Sequence, residues 1–365
     1  MLDVIKDWYH RNFTDPQAVI LLILLLLSLA LILLLGDILA PVLVALVLAY
    51  LLEGVVATLV RIGVNRTLGV VFVLVLFISV SLIVIFGLLP ILSKQVTDVV
   101  RALPDMVATG QEKLMRLPEI YPDVFTIDQI ESLIANVRSE VGQAGQQFLS
   151  FSIARLRTVI TILIYAVLVP LIVFFTLKDK QKLLDWAANF MPRRTELSIR
   201  VWKEVDQKIA NYIRGKFVEI SIVWVVTYVV FTLLNLNYSL LLSLLVGLSV
   251  LIPFVGAVVA TIPIALIAFF QWGLTAQFWW LLIIYQIIQI LDGNVLVPLL
   301  FSEMVNLHPL AIIVAVVFFG GIWGMWGVFF AIPLATLIQA VLNAWPKAKS
   351  DLEMQEMGIP DSTGL

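Results

Sequence analysis

Two stretches in the C-terminal third repeat each other, and their length constrains the fold more than any other feature. NLNYSLLLSLLVGLSVLIPFVGAVVATIPIALI begins at Asn235, and NLHPLAIIVAVVFFGGIWGMWGVFFAIPLATLI begins at Asn306. With one single-residue insertion they align at Asn235 with Asn306, Gly256 with Gly327, Ala260 with Ala331, Pro263 with Pro333 and Ala265 with Ala335. Each copy runs for about 33 residues, which as one straight helix at about 1.5 Å per residue would be about 50 Å long. A bilayer's hydrocarbon core is only about 30 Å thick, so something must break each run. The breakers lie near the middle, in IPFVGA around Pro253 and Gly256 and in GGIWGMWG around Gly320, Gly321, Gly324 and Gly327. Two half-helices joined there make a re-entrant hairpin, whose irregular tip must be buried in protein or line a water-filled cavity. Interrupted segments at matching positions of paired repeats also point to a transporter's binding site. If the first hairpin enters and leaves on the outer side, residues 278–296 cross inward and the second enters from the cytoplasm; eight full crossings are the rival topology. Trp323 and Trp326, within the second glycine run, suit close helix packing or stacking on a ring-shaped solute.

The bilayer itself follows from composition. Of 365 residues, 61% are hydrophobic and 13% charged, with mean hydropathy +1.06, far beyond a soluble domain. Residues 19–35, 38–52, 68–89, 159–177, 217–236 and 278–291 are further apolar segments. With the two longer repeats, residues 238–270 and 309–343, they predict an all-α polytopic membrane protein of about eight hydrophobic segments. The first run follows a charged leader and ends in LLLGD without a small-residue cleavage site, which suits an anchor rather than a signal peptide. Asp37 and Pro41 are expected to form an outer turn between the first two spans.

Lysine and arginine orient the spans. Residues 178–216 hold ten basic side chains against five acidic, whereas residues 92–157 hold seven against eight. The first region is therefore expected inside and the second outside, with both termini cytoplasmic. The chain then divides into N-terminal membrane helices (1–90), an extracytoplasmic helical region (91–158), a membrane helix (159–177), a cytoplasmic helical region (178–216), a membrane repeat domain (217–346) and a cytoplasmic tail (347–365). In the outer region Thr126 and Gln129 read as a capping box, followed by a stripe of Ile127, Ile130, Ile134, Val137 and Val141. In the inner region Pro192 separates two helices, and Ile199, Trp202, Val205, Ile209, Tyr212 and Ile213 recur at helical spacing, as in a helix packed on the bundle.

Catalysis has little support. The chain has no cysteine and two histidines, His10 and His308, and no H-E-x-x-H motif. Gly215-Lys216 is followed by Phe217, so the phosphate-binding loop of an ATP motor is missing. His308, beside Pro309, reads as a turn residue. No cofactor is expected, and a net charge of −2 implies no nucleic-acid partner.

Candidate site residues sit in QILDGNVLVP, residues 289–298. Gln286, Gln289 and Gly293 follow i, i+3, i+7 and share one helical face with Asp292 beside them, next to Asn294. A carboxylate inside a span is costly and by default marks an ion, proton or substrate path; a cap at a membrane-surface helix end is the plainer role for Asp292 and Asn294. Gly293 and Pro298 are expected to weaken the helix and free carbonyls. Glu219, three residues after Lys216 near a span end, suits a local snorkelling ion pair and is also a candidate second titrating carboxylate. Glu53 is placed at the cytoplasmic interface. The site thus comprises Asp292, Asn294, Gln289, Gln286, Gly293, Pro253, Gly256, Gly324 and Glu219.

LAPVLVALVLAYLLE (39–53), VPLIVFFTLKDK (169–180), VWKEVDQKIANYIRGK (201–216), LIPFVGAVVATIP (251–263), DGNVLVPLLFSEMVNLHPL (292–310) and GGIWGMWGVFFAIPLATL (320–337) together resemble the autoinducer-2 exporter family. The resemblance carries the positions Pro253, Gly256, Asp292, Gly293, Asn294 and Pro298. It implies an inner-membrane secondary transporter that exports autoinducer-2 or exchanges sodium for protons, assembled as a homo-oligomer such as a pentamer. The expected function is export of a small polar solute such as autoinducer-2 by alternating access. A sodium/proton antiporter working through Asp292, and a scaffold that transports nothing, are the rivals.

Overall fold

The computed structural model describes residues 16–115, 132, 135, 155–188, 196–253, 255–301 and 307–344. Among them the regular elements are all helical. In chain order they are α1 (Pro16–Arg61), α2 (Arg66–Ile83), α3 (Leu89–Leu114), α4 (Arg155–Lys178), α5 (Lys180–Ala188), α6 (Glu196–Leu233), α7 (Ser239–Ser249), α8 (Val255–Trp272), α9 (Ala276–Leu291), α10 (Val297–Phe301) and α11 (Pro309–Ala344). A π turn at Val84–Leu88 joins α2 to α3, and another at Asp292–Leu296 joins α9 to α10. Six segments are long and apolar enough to cross a membrane, among them Ile38–Arg61, Asp206–Leu233 and Ala276–Phe301, and Ile164–Lys178 and Ser239–Ser249 are shorter apolar helices. The stripe at residues 127–141 and the capping box at Thr126 lie outside the described residues, as does Pro192.

Asp37 and Pro41 do not form the expected turn. Both lie inside α1, which runs from Pro16 to Arg61 and leaves helical geometry only at Leu35 (φ −114°, ψ 16°). A proline inside a helix removes one hydrogen bond and kinks it without obliging the chain to stop.

Contacts divide the chain into two compact units: Met1–Leu51 with Asp179–Gly215 and Phe301–Leu365, and Leu52–Lys178 with Lys216–Leu300. In the second unit α7 and α8 form the first hairpin. Ile252 N donates to Ser249 O at 3.0 Å and Gly256 N to Ile252 O at 2.9 Å, closing a tight tip around Pro253. The arms then run back along each other, with Leu242, Val246, Val250, Ala260, Ile264 and Ala268 buried in one core. The base of the hairpin is closed by Gln271 at the end of α8. Its Nε2 donates to Asn235 O at 2.7 Å, and its Oε1 accepts from Asn237 N at 2.8 Å. Entry and exit therefore lie at one end. There Gln277 Nε2 also donates to Leu234 O at 3.3 Å, so α9 sets out from that same end.

The second unit also explains Glu53. Arg66, at the start of α2, pairs with Glu53 Oε2 at 3.0 Å and donates twice to Leu177 O, at 3.1 and 2.7 Å. It thereby serves an orphan carbonyl at the end of α4.

In the first unit α11 holds the second hairpin. Gly324 adopts φ 57°, ψ −137°, a conformation only glycine takes readily. Ala315 and Phe319 before the break cluster with Ala331 after it, with Val316, Leu334 and Ala335 packed alongside. In an unbroken helix Ala315 and Ala335 would stand about 30 Å apart, so α11 is two arms folded back on each other. Nearby, Trp323 and Trp326 both stack on Phe330, at 6.0 and 6.2 Å between centroids. A Cβ at Gly36 would stand 2.8 Å from Trp323 Nε1, so the tip aromatics pack closely within the protein. Tyr212 of α6 donates from its hydroxyl to Phe329 O at 3.2 Å and lies 5.9 Å from the Phe301 ring. Tyr212 and Ile213 are buried, as the inner-helix periodicity predicts.

The aligned glycines do the same work in both copies. A Cβ at Gly256 would collide with Ser249 O, and one at Gly327 with Phe319 O, each a carbonyl on the preceding arm. Around Gly321 a Cβ would meet open space. Gly256→Ala and Gly327→Ala are each expected to cost about 3 kcal/mol of stability through backbone overpacking. Gly321→Ala should stay within about 1 kcal/mol of the native protein. Thermal unfolding in detergent, followed by circular dichroism, checks the contrast.

Candidate functional site in the second unit

The inward face of α9 is set by its spacing. Phe278, Leu281, Tyr285 and Ile288 are buried, at steps of three and four residues. Asp292 continues that stripe by one further step of four and is half-buried, its Oδ1 shielded from solvent and without a hydrogen-bond partner. The carboxylate thus projects from the core-facing side of its helix.

The opposing wall is α6. Lys216, Glu219, Val223, Thr227 and Phe231 are all buried at helical spacing. Lys216 Nζ lies 2.7 Å from Glu219 Oε2, with the two residues 5% and 2% exposed. The pair expected to snorkel is instead enclosed, which corrects the surface reading of Glu219. Asp292 lies within electrostatic reach of both Lys216 and Glu219. Further along the same wall, Thr227 Oγ1 and Trp224 Nε1 are buried without partners.

At the hairpin side, Tyr285 is fully buried and its hydroxyl donates to Ala257 O at 3.1 Å, where Thr261 Oγ1 also donates at 2.8 Å. Gln289 Nε2 donates to the Tyr285 hydroxyl at 3.0 Å. Ala257 follows Gly256, so this chain of bonds ties α9 to the start of the second hairpin arm.

Asp292 and Glu219 share one electrostatic field, and hydrogen bonds link Gln289 through Tyr285 to Ala257, beside Gly256. Gln286, Gly293 and Asn294 are exposed. Asn294 Nδ2 donates to Ile290 O at 2.9 Å. Gly324 belongs to the other unit. His308 Nδ1 accepts from Leu310 N at 3.2 Å at the start of α11, the turn role expected of it. The weakening expected around Gly293 and Pro298 takes the form of the π turn, in which Val297 N donates to Asp292 O. Pro298, lacking an N–H, offers nothing to the carbonyl of Gly293, five residues back. Such π turns recur at functional sites.

Lys216 was named from sequence only as the partner of Glu219, and Tyr285, Thr227 and Trp224 were not singled out. The stripes 216/219/223/227/231 and 278/281/285/288/292 are the signal that would have found the first three. Among the described residues no group of three histidine, aspartate or glutamate side chains could hold a metal ion.

A polytopic helical bundle with folded-back half-helices and buried ionisable groups defines a membrane transport protein. Comparison with known proteins gives the family. The sequence model of the AI-2E family transporter matches residues 21–347, and the chain belongs to that family, one of transporters rather than enzymes. It is 48% identical over 346 residues to the permease candidate PerM of Escherichia coli (strain K12), covering 95% of this chain and 98% of the relative. It is 27% identical over 309 residues to the transport-protein candidate YueF of Bacillus subtilis (strain 168), covering 82% of each. It is 24% identical over 333 residues to the AI-2 transport protein TqsA of Escherichia coli (strain K12), covering 90% and 92%.

Tyr285→Phe removes the hydroxyl that serves both Ala257 O and Gln289 Nε2. It is expected to cost about 1 kcal/mol, because Gln289 Nε2 loses its acceptor while Ala257 O keeps the Thr261 hydroxyl. Denaturation in detergent measures this; an unchanged midpoint would mean that Gln289 finds another acceptor.

Proposed function

We propose that this chain is a secondary transporter that exports a small polar solute, of the autoinducer-2 kind, across the bacterial inner membrane by alternating access, with both termini cytoplasmic. The observation that carries the reading is the inward-facing carboxylate of Asp292, at a π turn in an apolar helix tied to the first folded-back hairpin. Intramembrane carboxylates and discontinuous helices are the two features by which transporter sites are recognised. The name of TqsA as an AI-2 transport protein supports the solute class. A sodium/proton antiporter is the second reading, supported by the carboxylate pair Glu219 and Asp292 around Lys216. The purified protein in liposomes decides: solute flux supports the first, cation-driven proton movement the second, and neither leaves only a scaffold.

Asp292→Asn keeps the side-chain shape and removes the charge, which lowers the cost of insertion. The variant is expected to fold and insert while flux falls at least about tenfold or loses its dependence on pH. Full flux from pH 5 to 9 would return Asp292 to a capping role.

The orientation has its own test, helped by the absence of cysteine. With the first hairpin based on the outer side, Thr275→Cys is expected to label from outside the cell and His308→Cys only from the cytoplasm. The reverse pattern would sink the orientation and the direction of export with it.

A further inference from the structure

Resting on the transport reading above, we propose that Lys216, Glu219 and Asp292 form one site with a single exchangeable positive charge, in which the Lys216 ammonium competes with a proton or an alkali cation for the two carboxylates. The argument begins with burial. Lys216 and Glu219 are buried, 2.7 Å from each other. A buried ion pair returns little net stability against its desolvation, so it does not account for itself as a structural brace. Asp292 shares the field of that pair, and its sheltered Oδ1 has no donor. An ionised carboxylate accepts at both oxygens, and a buried acceptor without a partner is rare enough to require one.

Charge counting then fixes the stoichiometry. Two carboxylates and one ammonium sum to −1, and among the described residues the helices packed in the second unit do not supply the balance. Helices α7 and α8, packed in the same unit, contain no ionisable side chain. The charges of α3 (Lys94, Asp98, Arg101, Asp105, Glu112 and Lys113) belong to a helix whose Gln95 Oε1 accepts from Leu241 N near the start of α7, at the hairpin's base. Tyr285 is engaged with Ala257 and Gln289. Arg214, two residues before Lys216, projects about 200° away from it around the same helix. One proton or one monovalent cation neutralises the site, whereas a divalent cation leaves it at +1 in apolar surroundings, where net charge is expensive. Lysine suits the part of competitor, being a compact charge on a flexible stem. The ammonium rests on Glu219 in this structure, the arrangement expected when a proton or cation neutralises Asp292; loss of that charge would draw the ammonium toward Asp292.

The test uses full-length protein in detergent, weakly buffered, with a pH indicator. NaCl, KCl and LiCl form one arm, acid titration the second, and choline chloride and MgCl2 at equal ionic strength the controls. Native protein is expected to release up to one proton per protomer on addition of an alkali chloride and none with either control, and Asp292→Asn to release none. Lys216→Gln leaves the carboxylates without their ammonium, so protons are held more tightly and the release curve moves to higher pH by about one unit or more. Glu219→Gln frees the ammonium for Asp292 and moves it to lower pH. The double variant Lys216→Gln/Glu219→Gln restores a net charge of −1 and is expected to return toward the native curve; it also serves if Lys216→Gln alone does not fold. Single variants that melt earlier but titrate like the native protein would show a plain structural bridge and overturn the proposal, as would a double variant that stays shifted. Solute flux in liposomes without cation-dependent proton release overturns this inference alone, and proton release without flux overturns the transport reading instead.

Discussion

The backbone crossing at Gly256, repeated at Gly327, is the contact on which the rest of the architecture depends. At both positions a side chain would occupy the place of a carbonyl oxygen on the preceding arm. The arms can therefore approach until their apolar faces interlock, which small residues at helix contacts permit. Without that approach the eleven residues of α7, about 16 Å of helix, would neither cross a bilayer nor bury their tip. The base is secured differently: Gln271 ties the turn before α7 to the end of α8 through two hydrogen bonds. Tip and base together hold α8 in place, and α8 supplies the Ala257 carbonyl on which Tyr285 rests.

Charge is distributed by a different logic in the two ion pairs. Arg66 with Glu53 lies at a helix junction, partly exposed, and Arg66 spends its remaining donors on the last turn of α4. Its job is complete within the fold. Lys216 with Glu219 lies where an apolar face would pack equally well, on the stripe that continues through Val223 and Phe231. Replacing such a pair by apolar residues is often neutral or stabilising, so stability alone gives no reason for this one.

Much of this was legible in the sequence, and the losses have physical causes. The hairpins follow from length, because no unbroken helix of either repeat fits a hydrocarbon core, and the matching glycines mark where the arms meet. The inward direction of Asp292 is latent in the spacing of Phe278, Leu281, Tyr285 and Ile288. The enclosure of Lys216 was not legible: an i, i+3 pair at the end of an apolar span has the same sequence whether it reaches for water or is covered by another helix, and only the packing partner decides. The break in α1 was misplaced for a related reason. Pro41 advertises a bend, but the departure from helical geometry falls at Leu35, a residue with no intrinsic preference for it.

The π turn at Asp292 shows why the polar motif stands where it does. Continued as a regular α-helix, the stripe 281/285/288/292 would next face inward at Val295 and Leu299. Those two residues are 56% and 76% exposed, whereas Leu296 and Leu300 are half-buried. One extra residue in the turn has moved the inward face forward by one position, as a wider turn must. Gly293, unhindered on all sides, and Pro298, which withholds an N–H, make that widening cheap. The Asn294 side chain supports the Ile290 carbonyl from within the same turn. Asp292 is therefore the last residue of one register and stands beside the first of another. A helix that changes register beside a buried carboxylate places an ionisable group next to backbone carbonyls that the regular ladder no longer fully serves, and oxygen donors of both kinds are what a proton or a small cation requires.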